Sequence, residues 1–70
     1  MQILTVNGKE KNFNDGQFPE TISDLLSHLN IVAATIVVEM DGQIVNRKNF
    51  DTIKLQPNQS LELIRFVGGG

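Results

Sequence analysis

The chain has no cysteine among its 70 residues. That absence excludes disulfide bonds, thiolate metal sites and a cysteine nucleophile together. Histidine occurs once, at His28. A metal site needs several donors converging, and one histidine among scattered carboxylates does not supply them. Asp15, Glu20, Asp24, Glu39, Asp41, Asp51 and Glu62 fall on different predicted elements, so no acid/base pair stands out. Ser23, Ser27 and Ser60 have no evident base partner. Long apolar runs are also missing. Stretches such as IVAA and IVV are far short of a bilayer span, and no membrane association is expected. Neither sign of charge dominates: six basic residues stand against eight acidic ones, interspersed, for a net charge of −2. That balance gives no electrostatic footprint for nucleic acid. The opening MQILTVNGKE lacks a basic segment leading into an apolar core and cleavage site, so the expected location is the cytoplasm. With 40% apolar and 20% charged residues, the composition is that of an ordinary soluble domain. Because no catalytic constellation stands out in its body, an enzyme is not expected. Its length is near the lower limit for folding unaided.

What is present divides into short elements. QILTV (2–6) is a β-rich run, Asn7-Gly8 is a hairpin signal, and KEKNF (9–13) is a return strand polar enough for a sheet edge. NDGQFPE (14–20) concentrates turn formers and marks a loop. In TISDLLSHLN (21–30), Ile22, Leu25, Leu26 and Leu29 recur at the spacing of one helix face. Thr21 is the expected N-cap, Asp24 completes a capping box, and Asn30 suits a left-handed helix end. TIVVEM (35–40) meets Asp41-Gly42, a second hairpin signal, before QIVN (43–46). Residues 47–59 are irregular, with Phe50, Ile53 and Leu55 as anchors and a turn at Pro57-Asn58. SLELIRFV (60–67) is the last strand and the most apolar.

Hairpin, helix, hairpin and strand in that order predict an α+β fold. A last strand so apolar belongs in the middle of the sheet, beside the first. The result is a four- to five-stranded mixed sheet packed on one main helix, the β-grasp arrangement. Leu4, Val6, Ile36, Val38, Leu61 and Leu63 are assigned to the helix-facing side. Strand side chains alternate, so Ile64 and Phe66 point the other way, joined by Val37 and by Ile3 or Thr5. Large apolar side chains on a face open to water suggest a docking surface for another protein. Ile64, Arg65, Phe66 and Val37 are its candidate residues. His28 falls on the helix flank away from the core face and reads as a solvated side chain.

The sequence closes on RFVGGG. Residues 1–67 are taken as the globular domain and 68–70 as a flexible tail, since glycine is the costliest residue to hold in one conformation. One reactive group remains, the α-carboxylate of Gly70. At neutral pH it is ionised and a poor electrophile, so it reacts only once a partner activates it, for instance as an acyl-adenylate. Three residues reach at most about 10 Å, enough to carry the carboxylate into a partner's channel. Gly68 and Gly69, having no Cβ, suit a narrow one.

LTVNGKE, VVEMDGQIVNRKNF and LELIRFVGGG together resemble the ThiS family, the ubiquitin-like sulfur carriers of thiamine biosynthesis, over essentially the whole chain. The glycine terminus is common to ubiquitin-like carriers. The Val-Asn-Gly opening and the arginine-bearing last strand narrow the resemblance. Asn46 stands where the family commonly has proline, and Phe50 where tryptophan is frequent. The resemblance implies that an adenylyltransferase of ubiquitin-activating type adenylates Gly70. Sulfur from a cysteine desulfurase or another donor then gives a thiocarboxylate, which thiazole synthase consumes. It implies a monomer that binds no cofactor, with ATP and Mg²⁺ belonging to the activating partner. Three alternatives stand beside it: a carrier for molybdopterin synthesis, a modifier conjugated to target lysines through Gly70, and a binding module with an incidental tail.

Overall fold

The computed structural model of the chain describes residues 1–66. The two Xaa-Gly signals are both tight hairpin turns. Asn7 and Gly8 have φ of 52° and 79°, and Asp41 and Gly42 have φ of 50° and 86°. Two successive positive φ values match the right-handed twist of the flanking strands, which is why Asn-Gly and Asp-Gly are favoured there. The first turn joins β1 (Gln2–Val6) to β2 (Lys9–Phe13), and the second joins β3 (Ile36–Met40) to β4 (Gln43–Val45).

The last strand, β5 (Ser60–Arg65), runs parallel to β1 and antiparallel to β3. It thereby joins the hairpins into one five-stranded mixed sheet in the order β2-β1-β5-β3-β4. β5 holds the centre because its helix-facing residues are apolar; Leu61 is completely buried. It ends at Arg65, short of the expected 67, so Phe66 follows the strand and Val67 is outside the described residues.

Helix α1 (Ile22–His28) lies on one face of the sheet. Thr21 Oγ1 accepts from the Asp24 N–H at 3.2 Å, and an Asp24 carboxylate oxygen accepts from the Thr21 N–H at 3.3 Å, closing the capping box. The Ser23 N–H donates to the Phe50 carbonyl at 3.0 Å, so another free amide of the first turn is satisfied from across the fold. At the other end Leu29 is the C-cap and Asn30 turns left-handed with φ of 59°. The helix proper is Ile22–His28, with Thr21 capping its start and Asn30 turning left-handed after it, as expected.

The core forms between α1 and the sheet. Ile22, Leu25 and Leu26 meet Leu4, Val6, Ile36, Val38 and Leu61, with Leu29 and Leu63 packed at the margin. Phe50 and Leu55 are buried and Ile53 half-buried, so the irregular stretch is anchored as expected. Its path includes a 3-10 turn at Arg47–Asn49, and a second such turn at Ala33–Thr35 precedes β3. A bridge between Thr21 and Lys54 and a hydrogen bond from the Leu55 N–H to the Glu20 carbonyl (2.8 Å) hold the stretch against the start of the helix. The Ser23 hydroxyl also bonds to the Asp51 carboxylate. Among the described residues, no helix is long and apolar enough to cross a membrane.

Candidate functional site

Cross-strand register settles which residues share a face. Val38 and Leu63 are opposite one another, as are Val37 and Ile64, and Ile36 and Arg65. Directly opposed side chains lie on the same side of a sheet. Val38 is completely buried beneath the helix, so Val37 and Ile64 occupy the far face. Ile64 is 44% exposed and Phe66, just after the strand, 45%. Val37 between them is half-buried.

The opposite hairpin adds a residue that strand-by-strand reading missed. Val45 pairs with Val38 and is buried, so Ile44, opposite Glu39, must face outward. It is 71% exposed. The signal was in the sequence, since Asp41-Gly42 fixes the register of the hairpin that carries it. Ile3 and Thr5, between the buried Leu4 and Val6, continue the same face on β1 and are half-buried.

Arg65 takes the other side. Its opposite number, Ile36, is buried under the helix, and alternation places Arg65 with Leu61 and Leu63. Of the four residues first assigned to docking, Val37 and Ile64 share the outer face, Phe66 follows at its edge, and Arg65 is displaced from it.

The sheet narrows where this face approaches the chain end. β1 pairs with β5 at Thr5–Ser60 and Val6–Leu61 and no further, and β4 pairs with β3 only as far back as Val38. Beyond those points β3 and β5 continue together to Ile36 and Arg65 as a two-stranded tongue. A recess of about 290 Å³ beside it is lined by Val37, Ile44, Arg47, Phe50 and Phe66, among others. An apolar, partly exposed surface therefore adjoins the last described residue. Gly68, Gly69 and Gly70 lie outside the described residues.

The His28 ring lies 5.5 Å from that of Phe13 at 60°, a packing contact on the flank of the helix. Among the described residues, no group of three or more histidines, cysteines or carboxylates converges as a metal site. Ser23 meets Asp51, a contact that ties α1 to the 3-10 turn region.

The model of the ThiS family matches residues 4–70. A sulfur carrier protein ThiS from Bacillus subtilis is 28% identical over 68 residues, which are 97% of this chain and 100% of that one. A thiazole synthase from Paramagnetospirillum magneticum is 30% identical over 67 residues, 96% of this chain. The chain spans only 20% of that synthase's length. Among solved structures, a crystal structure of the thiamine biosynthesis protein (ThiS) from Geobacter metallireducens has a TM-score of 0.82 and 35% identity, covering 97% of this chain and 99% of that one.

Proposed function

The chain belongs to the ThiS family, and from that premise we propose that it is a sulfur carrier for thiamine biosynthesis whose cargo is held on the Gly70 carboxyl. The observation that carries this reading is the family match, which runs through the glycines to residue 70. The alignment over the full length of a Bacillus subtilis sulfur carrier supports it.

The chemistry follows from the reactivity of a carboxylate. Ionised, it resists nucleophiles; an oxygen of Gly70 must first attack the α-phosphate of ATP, releasing pyrophosphate and leaving an acyl-adenylate. The terminal sulfur of a persulfide then adds to the carbonyl carbon and AMP departs with the bonding electrons. A thiol then attacks the donor's sulfur in the resulting S–S bond, forming a new disulfide with it and losing its proton, and the thiocarboxylate leaves with the electrons of the broken bond. Its sulfur is a softer nucleophile than carboxylate oxygen and is delivered without release of free sulfide. ATP and Mg²⁺ belong to an adenylyltransferase of ubiquitin-activating type, and the persulfide to a cysteine desulfurase or other donor.

Thiazole synthase is the proposed acceptor. A synthase that carries a segment similar to this chain within its own length supports a working pairing of the two. Val37, Ile44, Ile64 and Phe66 would give these partners an apolar foothold beside the glycines, so that docking and presentation of Gly70 occur together.

ATP–pyrophosphate exchange catalysed by the cognate adenylyltransferase tests the reading. Adding one alanine after Gly70 converts the reacting carboxylate into an internal amide, and exchange is expected to fall to background. Undiminished exchange with the extended chain would place activation somewhere other than Gly70.

A further inference from the structure

The tongue formed by β3 and β5 leaves a second feature, on the opposite face of the sheet from the apolar patch. Along β5, the Asn7 N–H donates to the Leu61 carbonyl at 2.9 Å and the Leu63 N–H donates to Asn7 Oδ1 at 2.7 Å. The peptide groups of Leu61, Leu63 and Arg65 therefore point toward β1, while those of Ser60, Glu62 and Ile64 point toward β3. β1 has already turned away at Asn7. Among the described residues no strand lies beside the Leu63 carbonyl or the Arg65 N–H and carbonyl on that side. The side chain of Asn7 is the last group of β1's hairpin to bond β5.

This free edge borders a recess of about 330 Å³ lined by Val6, Asn7, Lys9, Lys11, Leu29, Ile31 and Leu63. Its floor is apolar, and its only charged residues are two lysines. Lys9 and Lys11 are opposite Val6 and Leu4, so both lie on the helix side of β2. Neither has a carboxylate partner among the described residues, where the ion pairs are Met1–Asp15 and Lys54–Glu20. Arg65 has the same facing. In a chain of net charge −2, this corner is locally cationic.

We propose that this notch takes an extended acidic segment of a protein partner, which adds as a short strand to the free edge of β5 and lays carboxylates against Lys9 and Lys11. Strand addition satisfies backbone groups that the sheet leaves open and supplies affinity without sequence-specific contacts. The strand spacing of about 4.8 Å brings such a segment into line beyond the Asn7-Gly8 turn, within reach of the lysine stems. The free edge at Ile36–Val37 on the other side of the tongue has no such pair of lysines; Arg47 is its one lining cation. Charge thus distinguishes the two edges. The proposal rests on the sheet alone and stands whether or not Gly70 carries sulfur.

Titration of the isotopically labelled full chain with a capped pentapeptide of alternating glutamate and valine, followed by amide NMR, tests it. The expected result is chemical-shift change at Lys9, Lys11, Leu63 and Arg65, with slowed hydrogen exchange at the Arg65 amide. The lysine–valine counterpart should bind more weakly. In a Lys9→Gln, Lys11→Gln double variant, affinity for the acidic peptide is expected to fall about three- to tenfold, the scale of two exposed charge pairs. No change at millimolar peptide, change confined to Ile36–Val37 or to the outer edge of β2, or equal binding of the two peptides would each overturn the proposal.

Discussion

Phe66 and Leu25 are both large and apolar, yet they belong to different parts of the protein's work. Leu25 is completely buried on the core face of α1, whereas Phe66 is 45% exposed at the edge of the outer face. An aspartate at Phe66 meets solvent and leaves the core untouched. Phe66→Asp is expected to keep the circular-dichroism melt within a few degrees of the parent. Binding to the adenylyltransferase should fall about tenfold or more, the scale for losing an aromatic anchor at an interface. A collapsed melt would show that Phe66 is part of the core. Thr21 acts through its hydroxyl: with the capping-box acceptor gone, Thr21→Ala is expected to destabilise the fold by about 1 kcal/mol. In a domain this small that lowers the midpoint by several degrees in a thermal scan, and partner binding should be unchanged.

Among the elements, β5 depends most on its neighbours, and its attachment to β1 is brief. Their ladder covers two residue pairs, then passes to the Asn7 side chain, which accepts from Leu63. On the other flank Asp41 Oδ1 accepts from the Ser60 N–H at 3.0 Å. The first residue of each hairpin turn therefore has two tasks, adopting positive φ and holding the central strand. Asn7→Gly retains the turn conformation and removes only the acceptor. Exchange at the Leu63 amide is expected to quicken relative to Glu62 and Ile64, with a stability loss of about 1 kcal/mol. Unchanged protection at Leu63 would mean that the side-chain bond contributes nothing. These paired roles explain which parts of the fold could be read in advance. Asn7-Gly8, Asp41-Gly42 and the 22/25/26/29 face announce local structure through local chemistry, and alternation along 60–66 separates Leu61 and Leu63 from Ile64 and Phe66. The bond between Ser23 and Asp51 joins distant segments and has no local signal, whereas the outward position of Ile44 follows from the register of the Asp41-Gly42 hairpin and the facing of Arg65 from alternation along β5. Arg65 is a docking candidate by its place in the last strand; alternation and its opposition to Ile36 put it on the helix side, away from Ile64.

At the scale of the whole molecule, a compact sheet and helix present two distinct surfaces near one end. One is apolar, on the open face of the sheet; the other is a cationic notch on the helix side. Both flank the tongue that leads to Phe66, the last described residue, so a partner gripping either surface meets the end of the described chain. On the proposed reading, activation, sulfur donation and sulfur consumption fall to partners, so the carrier itself would need no catalytic group. The central claim concerns one atom of Gly70. Intact-mass measurement after incubation with the adenylyltransferase, ATP and a persulfide donor, with fragmentation to locate the change, tests it most directly. The chain has no cysteine to hold a persulfide of its own, so retained sulfur has few places to go. The account predicts a gain equal to sulfur minus oxygen, confined to Gly70. An unchanged mass under conditions in which the adenylate forms, or sulfur retained at any other residue, would contradict it.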